Sequence, residues 1–316
     1  IEDRPDEIRP CILCHNGCFN MAHYKGVPND QKLSDSLHLA RCAVNAETMQ
    51  TNDHYISRTS RPRKVAVIGG GIGGMETARV LKLRGHEPVI YEKTDVLGGR
   101  FIPGSAESYK GKLRELLEWY RRQMESMEIE IHLNTEISDL SQFEDMPVII
   151  ATGSEPRELC GVPGHQKMIE ACEFLSSAPV GQTVAVIGGG LTGSEIAYEL
   201  ALQGKNPVII EMKDDLIAQT GVCLANSSYL REWFALHDVP VYLDTTLKEV
   251  KDDSIICNSE EAGEISIPCD SVVVSAGYIP APLAPRSKNV YLVGDCRKVG
   301  NLRTVIWRAY ETAMRI

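Results

Sequence analysis

No apolar run in this 316-residue chain approaches the roughly 20 residues that a membrane-spanning helix needs, and nothing at its start reads as a secretory signal. Basic charge is also short. Lys and Arg number 33 against 43 Asp and Glu, leaving a net charge of −10 with no basic stripe, which argues against nucleic acid and against anionic membrane surfaces as partners. Aromatic residues are sparse at 6%, but 43% hydrophobic residues and a length of about two domains allow a sizeable core. Beyond residue 42 there is no C-x-x-C pair. No general acid or base stands out either, so no catalytic side chain is assigned. A cytoplasmic protein is the expectation, with homo-oligomerisation left open.

What is present is concentrated in one stretch, Val65–Glu92, reading VAVIGGGIGGMETARVLKLRGHEPVIYE. Four β-prone residues run into Gly69-x-Gly71-x-x-Gly74, a helical run reaches Leu83, and a second strand, Pro88–Tyr91, ends at the acid Glu92. In a dinucleotide site the first glycine permits the tight turn, the second lets backbone approach a pyrophosphate, and the third lets helix pack on strand. The phosphates then sit on the free N–H groups and positive end of the new helix. Glu92, eighteen residues past Gly74, can accept hydrogen bonds from a ribose.

The motif recurs. Val184–Glu211 reads VAVIGGGLTGSEIAYELALQGKNPVIIE, and Gly188, Gly190, Gly193 and Glu211 each follow their counterparts by 119 residues. Two dinucleotide folds in one chain imply two dinucleotides and a reaction between them. The fold class is therefore α/β, with two Rossmann-like domains preceded by a cysteine-rich segment.

Of ten cysteines, four lie in the first 42 residues: Cys11, Cys14, Cys18 and Cys42. Three close thiolates and one distant one suit an iron–sulfur cluster, read here as 4Fe–4S. Zinc is the main competitor, although structural zinc sites more often pair two C-x-x-C units, and disulfides or free thiols stay open. His15 is expected to be an exposed loop residue. The other six cysteines, Cys160, Cys172, Cys223, Cys257, Cys269 and Cys296, are scattered and are expected to be small core residues.

Further along, Leu97-Gly98-Gly99-Arg100 forms a turn whose arginine could meet a phosphate or a flavin edge. The segment SYKGKLRELLEWYRRQMESM is an amphipathic helix, with Lys110 at its start as a weaker cofactor candidate. Ile129–Leu133 alternates as a strand, and Val148–Ile150 leads into Ala151-Thr152-Gly153, small enough for close cofactor approach. In the second fold, Ser227–His237 reads as a helix, Pro240–Leu243 as a strand, and Ser254–Cys257 with Glu264–Pro268 as a hairpin-like pair. Val272–Ser275 entering Ala276-Gly277 echoes the Ala-Thr-Gly, and Val290–Leu292 leads through Val293 to Gly294-Asp295, an aspartate placed to bond a sugar-alcohol chain. A helix over Thr304–Arg315 closes the chain.

This order of cysteine cluster, first GxGxxG, Ala-Thr-Gly, second GxGxxG and terminal Gly-Asp resembles the C-terminal half of the multi-cofactor relatives of old yellow enzyme. That family includes 2,4-dienoyl-CoA reductase, 2-enoate reductase, the bile-acid and daidzein reductases, and trimethylamine dehydrogenase. The resemblance implies a cluster segment (1–60), an FAD domain (61–156 and 276–316) and an inserted NAD(P)H domain (157–275). It further implies an N-terminal (β/α)8 barrel holding FMN and substrate, with the opening IEDRPDEIRP as the tail of the barrel's last helix. On matching positions it makes Cys11, Cys14, Cys18 and Cys42 cluster ligands. It places FAD on Gly69–Gly74 with Gly73 at the pyrophosphate, Glu92 on the ribose, Arg100 and Lys110 nearby, Ile137 against adenine and Asp295 on the ribityl chain. Gly188–Gly193 would hold the nicotinamide dinucleotide. Glu211 favours NADH by repelling a 2′-phosphate, while Lys213 keeps NADPH open. The 23 residues between Cys18 and Cys42 exceed what the family usually places there, an insertion that costs little closure entropy.

The implied function is an NADH-oxidising electron-input module. Two alternatives stand beside it. One is a pyridine-nucleotide disulfide reductase, which needs a redox C-x-x-C inside a fold. The other is an ADP-binding structural domain, as in amine dehydrogenases of this family.

Overall fold

The computed structural model describes residues 3–19, 41–50, 53–219 and 221–316. The first fold begins with β1 (Lys64–Ile68), α1 (Ile72–Leu83) and β2 (Glu87–Tyr91). A single helical turn, Phe101–Gly104, precedes the amphipathic α2 (Gly111–Ser126), which is followed by β3 (Glu130–His132) and β4 (Val148–Ile150). Later, β15 (Val290–Leu292) and α6 (Leu302–Ala313) return to the same sheet. Its order is β15-β4-β1-β2-β3, all parallel. Parallel strands covered on both faces are near-continuously apolar, and β1, with four of five residues buried, follows that rule. One face packs on α1, α2 and α6 through Met75, Leu81, Leu116, Tyr120, Ile306 and Tyr310. Strand order reverses between β1 and β4, and in such sheets ligands bind beyond the carboxyl ends at that point.

The second fold repeats the plan. After β5 (Ser154–Pro156), β6 (Met168–Glu170) and the short α3 (Ala171–Leu175) come β7 (Thr183–Ile187), α4 (Leu191–Leu202) and β8 (Asn206–Ile210). Then follow α5 (Leu224–Leu236), β9 (Val241–Tyr242), β10 (Thr245–Val250), β11 (Ser254–Ser259), β12 (Gly263–Pro268) and β13 (Ser271–Val274). The parallel sheet runs β6-β13-β7-β8-β9. An antiparallel sheet, β10-β11-β12, covers one face of it, with Ile255, Cys257 and Ile267 packed on Ala185 and Val208. The hairpin expected from the sequence is present and longer than expected, and β10 pairs beside it as a third strand. β14 (Tyr278–Pro280) and β5 form an antiparallel pair where the chain passes between the two sheets.

Most expected elements shift by one to three residues. The closing helix, expected over 304–315, runs Leu302–Ala313 because Asn301 caps it: its side chain accepts from Thr304 N–H at 3.0 Å, and Thr304 Oγ1 accepts from Asn301 N–H at 3.1 Å. Within the first ten residues the described positions hold a turn of 3-10 helix, Pro5–Glu7.

That segment is fastened to the first fold by buried polar contacts. Arg9 pairs with Glu76 of α1 (Nη2–Oε2 3.2 Å), donates to Val44 O and lies over the Trp119 ring. Glu7 O accepts from Trp119 Nε1 at 3.1 Å, and Cys42 O accepts from Trp307 Nε1 at 2.9 Å. No helix among the described residues is long and apolar enough to cross a membrane.

Candidate functional site

A cleft of about 1060 Å³ opens where β1 and β4 end. Small-molecule sites run to roughly 300–1,000 Å³, so the space suits a ligand as large as a dinucleotide. Gly69 is the reason the chain can turn there. Its φ of +106° is open to glycine, and a Cβ would stand 2.5 Å from Ala151 O. A Cβ on Gly74 would fall on Gly69 O, so this glycine sets the closeness of α1 to its strand.

The cleft gathers nearly all of the expected first-site residues: Gly69, Gly71, Gly73, Glu92, Arg100, Ile137, Gly153, Gly294 and Asp295 line it. Glu92 is buried at one side. Its Oε2 accepts from Gly70 N–H at 2.6 Å and its Oε1 from Thr94 N–H at 2.9 Å and Thr94 Oγ1 at 2.8 Å. This clamp holds the carboxylate at the strand end, and Oε2 keeps a lone pair for a further donor. At the other side Asp295 accepts from Gly300 N–H at 3.0 Å, and burial pushes its carboxyl up against that stabilisation. A glycine-lined phosphate loop with a carboxylate at each side fits FAD.

Arg100 lines the cleft, with its Nε on Ser154 O at 2.7 Å and its guanidinium over the Tyr278 ring at 5.3 Å. Lys110 is placed elsewhere. It pairs with Glu107 and Glu195, each at 2.8 Å, in a buried contact with α4, because two carboxylates outcompete a distant cofactor for one ammonium.

The second loop repeats the backbone geometry of the first. Gly188 has φ +107°, Gly189 N–H donates to Glu211 Oε2 at 2.6 Å, and Lys213 N–H donates to Glu211 Oε1 at 2.9 Å. A Cβ on Gly193 would fall on Gly188 O. Gly190 starts α4, and Gln219 Oε1 accepts from Leu191 N–H at 3.3 Å. Gln219 was not among the expected residues, yet the 119-residue offset marks it as the counterpart of Arg100. Thr94 and Asn301 were missed as well. Asn301 carries a legible signal, a capping residue three before Thr304 at a helix start.

The four early cysteines are all free, Cys11 and Cys18 exposed, Cys14 and Cys42 half-buried. Residues 20–40, most of the long stretch between Cys18 and Cys42, lie outside the described residues. The two cysteine-bearing segments meet where Gly17 O accepts from Arg41 N–H at 2.6 Å, an approach that a Cβ on Gly17 would block at 2.8 Å from Arg41 O. Burial, then the thiols of Cys42, Cys18 and Cys11, push the Cys14 thiol up, while Asn16 N–H bonds it. Among the described residues no three His, Cys, Asp or Glu side chains could share one metal ion. Four thiols, three of them within eight residues, are the donor type that an iron–sulfur cluster takes.

His15 is exposed, as expected. Of the six scattered cysteines, Cys223, Cys257, Cys269 and Cys296 are buried, and burial pushes Cys257 and Cys269 up to about 11. Cys160 is exposed, and Cys172 is half-buried beside Tyr278 Oη at 3.2 Å; for these two the core expectation fails.

Residues 63–315 match the family model for pyridine nucleotide-disulphide oxidoreductases. Cinnamate reductase of Clostridium sporogenes is 34% identical over all of this chain and 47% of its own length. NADH oxidase of Thermoanaerobacter brockii is 27% identical over all of this chain and 49% of its own. The structure of a 2-naphthoyl-CoA reductase bound to 2-naphthoyl-CoA superposes with a TM-score of 0.86 and 26% identity, over the full chain and 47% of that protein. The chain therefore spans about half the length of the old-yellow-enzyme-like reductases it resembles. Cleft, repeated nucleotide loop and relatives agree that this chain belongs to the pyridine nucleotide-disulphide oxidoreductase family, as an oxidoreductase module that uses FAD and NAD(P)H.

Proposed function

We propose that the chain is the electron-input half of a larger flavoenzyme that takes reducing equivalents from NADH and delivers them to FMN on a barrel domain. The observation that supports this reading is the duplicated clamp, Gly70–Glu92 and Gly189–Glu211, which repeats one dinucleotide-loop geometry twice in one chain. FAD and nicotinamide supply hydride transfer when bound, and a 4Fe–4S cluster supplies one-electron relay. The domains are 61–156 with 276–316 for FAD and 157–275 for the nicotinamide dinucleotide.

The protein's own work is binding and orientation. The Gly69–Gly74 loop and the amide end of α1 hold a pyrophosphate, Glu92 a ribose and Asp295 the ribityl chain. Glu211 accepts from the nicotinamide dinucleotide's ribose and disfavours a 2′-phosphate. Cys11, Cys14, Cys18 and Cys42 hold the cluster. Five large apolar side chains of the opening segment, Ile8, Leu13, Phe19, Met49 and Tyr55, are exposed, which supports a partner domain packing there. The names of the relatives point to an activated C=C bond, in an enoate or an aryl thioester, as the substrate of the whole enzyme.

One contact favours a second reading. Gln219 occupies the Leu191 amide that a pyrophosphate would use, so a permanently filled second loop would leave an ADP-binding structural domain. Cofactor analysis after anaerobic purification with iron and sulfide decides between them. FAD, iron and acid-labile sulfide near one, four and four per chain support the proposal, whereas ADP without flavin or iron would replace it with the structural reading.

A further inference from the structure

Helix α6 touches both cofactor sites. Its first turn walls the cleft through Leu302 and Val305, and Val305 Cγ1 stands 3.3 Å from where a Cβ on Gly73 would be. Two residues on, Trp307 turns away from the cleft and donates its indole N–H to Cys42 O at 2.9 Å. The ring is held in place: His54 meets it edge-on at 5.3 Å and the Arg303 guanidinium lies over it at 4.7 Å. Trp307 is only 7% exposed, and Ile306, Ala309 and Tyr310 around it are fully buried, so the helix has no freedom to shift alone. Cys42 packs against the same core.

We propose that Trp307 is a positioning residue that fixes Cys42 to α6, making this helix the strut between the flavin cleft and the fourth thiolate. The inference rests on the cluster reading given under Proposed function and adds to it a specific tie. Val305 and Trp307 are about 3 Å apart along the axis, and a helix with its side chains is roughly 10–12 Å across. The carbonyl of Cys42 is therefore about one helix thickness from the cleft wall. An N–H donor at this point holds the cysteine's backbone, and so limits where its sulfur can reach.

The test uses the chain reconstituted with FAD, iron and sulfide. Trp307→Phe keeps an aromatic ring and removes the donor. Tyr310→Phe is the control, since Tyr310 Oη donates at 2.9 Å to His54 O, a comparable bond from the same helix to a residue that holds no iron. Trp307→His restores a ring N–H. Loss of one such bond should speed iron release to a chelator roughly five- to tenfold in W307F, while Y310F and W307H stay within about twofold of the unaltered chain. The reduced-cluster EPR signal should change in W307F alone, with FAD content unchanged in all three. Iron release from W307F at the unaltered rate, or equal acceleration in Y310F or W307H, would overturn the inference and leave the cluster standing. An unaltered chain that binds no iron would remove both.

Discussion

Replacing Glu76 with Gln tests how the cysteine segment is joined to the phosphate-binding helix. Glu76 is 0% exposed and sits on α1, five residues after Gly71. Its carboxylate takes Arg79 Nε at 2.8 Å and Nη2 at 3.1 Å, Arg9 Nη2 at 3.2 Å and Tyr120 Oη at 3.2 Å. Burial pushes its carboxyl up, but Arg79 and then Arg9 outweigh that and hold it below the usual carboxylate range. Glutamine has the same shape and removes the charge, leaving two poorly hydrated guanidinium groups without a counter-ion. Breaking a buried pair in this way costs about 3–5 kcal/mol, and the amide carbonyl still accepts one bond, which favours the lower end. About 3 kcal/mol converts to a fall of roughly 6–12 °C in the unfolding midpoint of the first fold, read by circular dichroism and by flavin release. The pH dependence has a definite sign. A depressed folded-state pKa gives stability that is complete above the unfolded value near 4.3 and is lost as pH falls through the folded value, so the acid limb expected of the unaltered chain should flatten in E76Q. A midpoint within about 2 °C of the unaltered chain, with the same acid limb, would refute the argument.

Two further substitutions separate binding from folding. Burial raises Asp295, so its ionised form costs stability as pH climbs past the raised value; Asp295→Asn should leave the apo chain at least as stable at neutral pH while weakening FAD binding roughly tenfold or more, measured by flavin fluorescence. Lower apo stability with unchanged flavin affinity would make Asp295 structural. Glu211→Ser removes the carboxylate from the second loop and should move the NADPH-to-NADH affinity ratio towards NADPH by about tenfold, measured by calorimetry, and an unmoved ratio would take the nucleotide preference away from Glu211.

Both nucleotide loops were legible in the sequence because their signal is local: strand, glycines, helix and acid lie within 28 residues, and the geometry at Gly69 and Gly188 is dictated by backbone sterics. Asp295 was legible as a position, since an apolar strand running into Gly-Asp ends at the sheet's carboxyl edge. Other features depend on contacts that no local pattern encodes. Lys110 reads as a cofactor ligand until Glu195, from the other fold, takes it. Strand β10 alternates too weakly to announce itself, with Thr246, Lys248 and Glu249 in its six residues, and forms by pairing with β11. Arg9 and Glu76 are 67 residues apart, and Trp307 and Cys42 are 265 apart. Cys172 reads like the buried cysteines around it, and only the fold brings it against Tyr278 and Arg100.

The central claim, that electrons enter here from NADH and leave through the cysteine cluster, is tested most directly by an anaerobic NADH titration followed by visible absorption and by EPR. The account predicts that NADH bleaches the flavin band and that a reduced iron–sulfur signal then grows in, with glutamate at 211 making NADH the better donor than NADPH. A chain that binds FAD and iron yet shows neither bleaching nor an EPR signal with either nucleotide would contradict it.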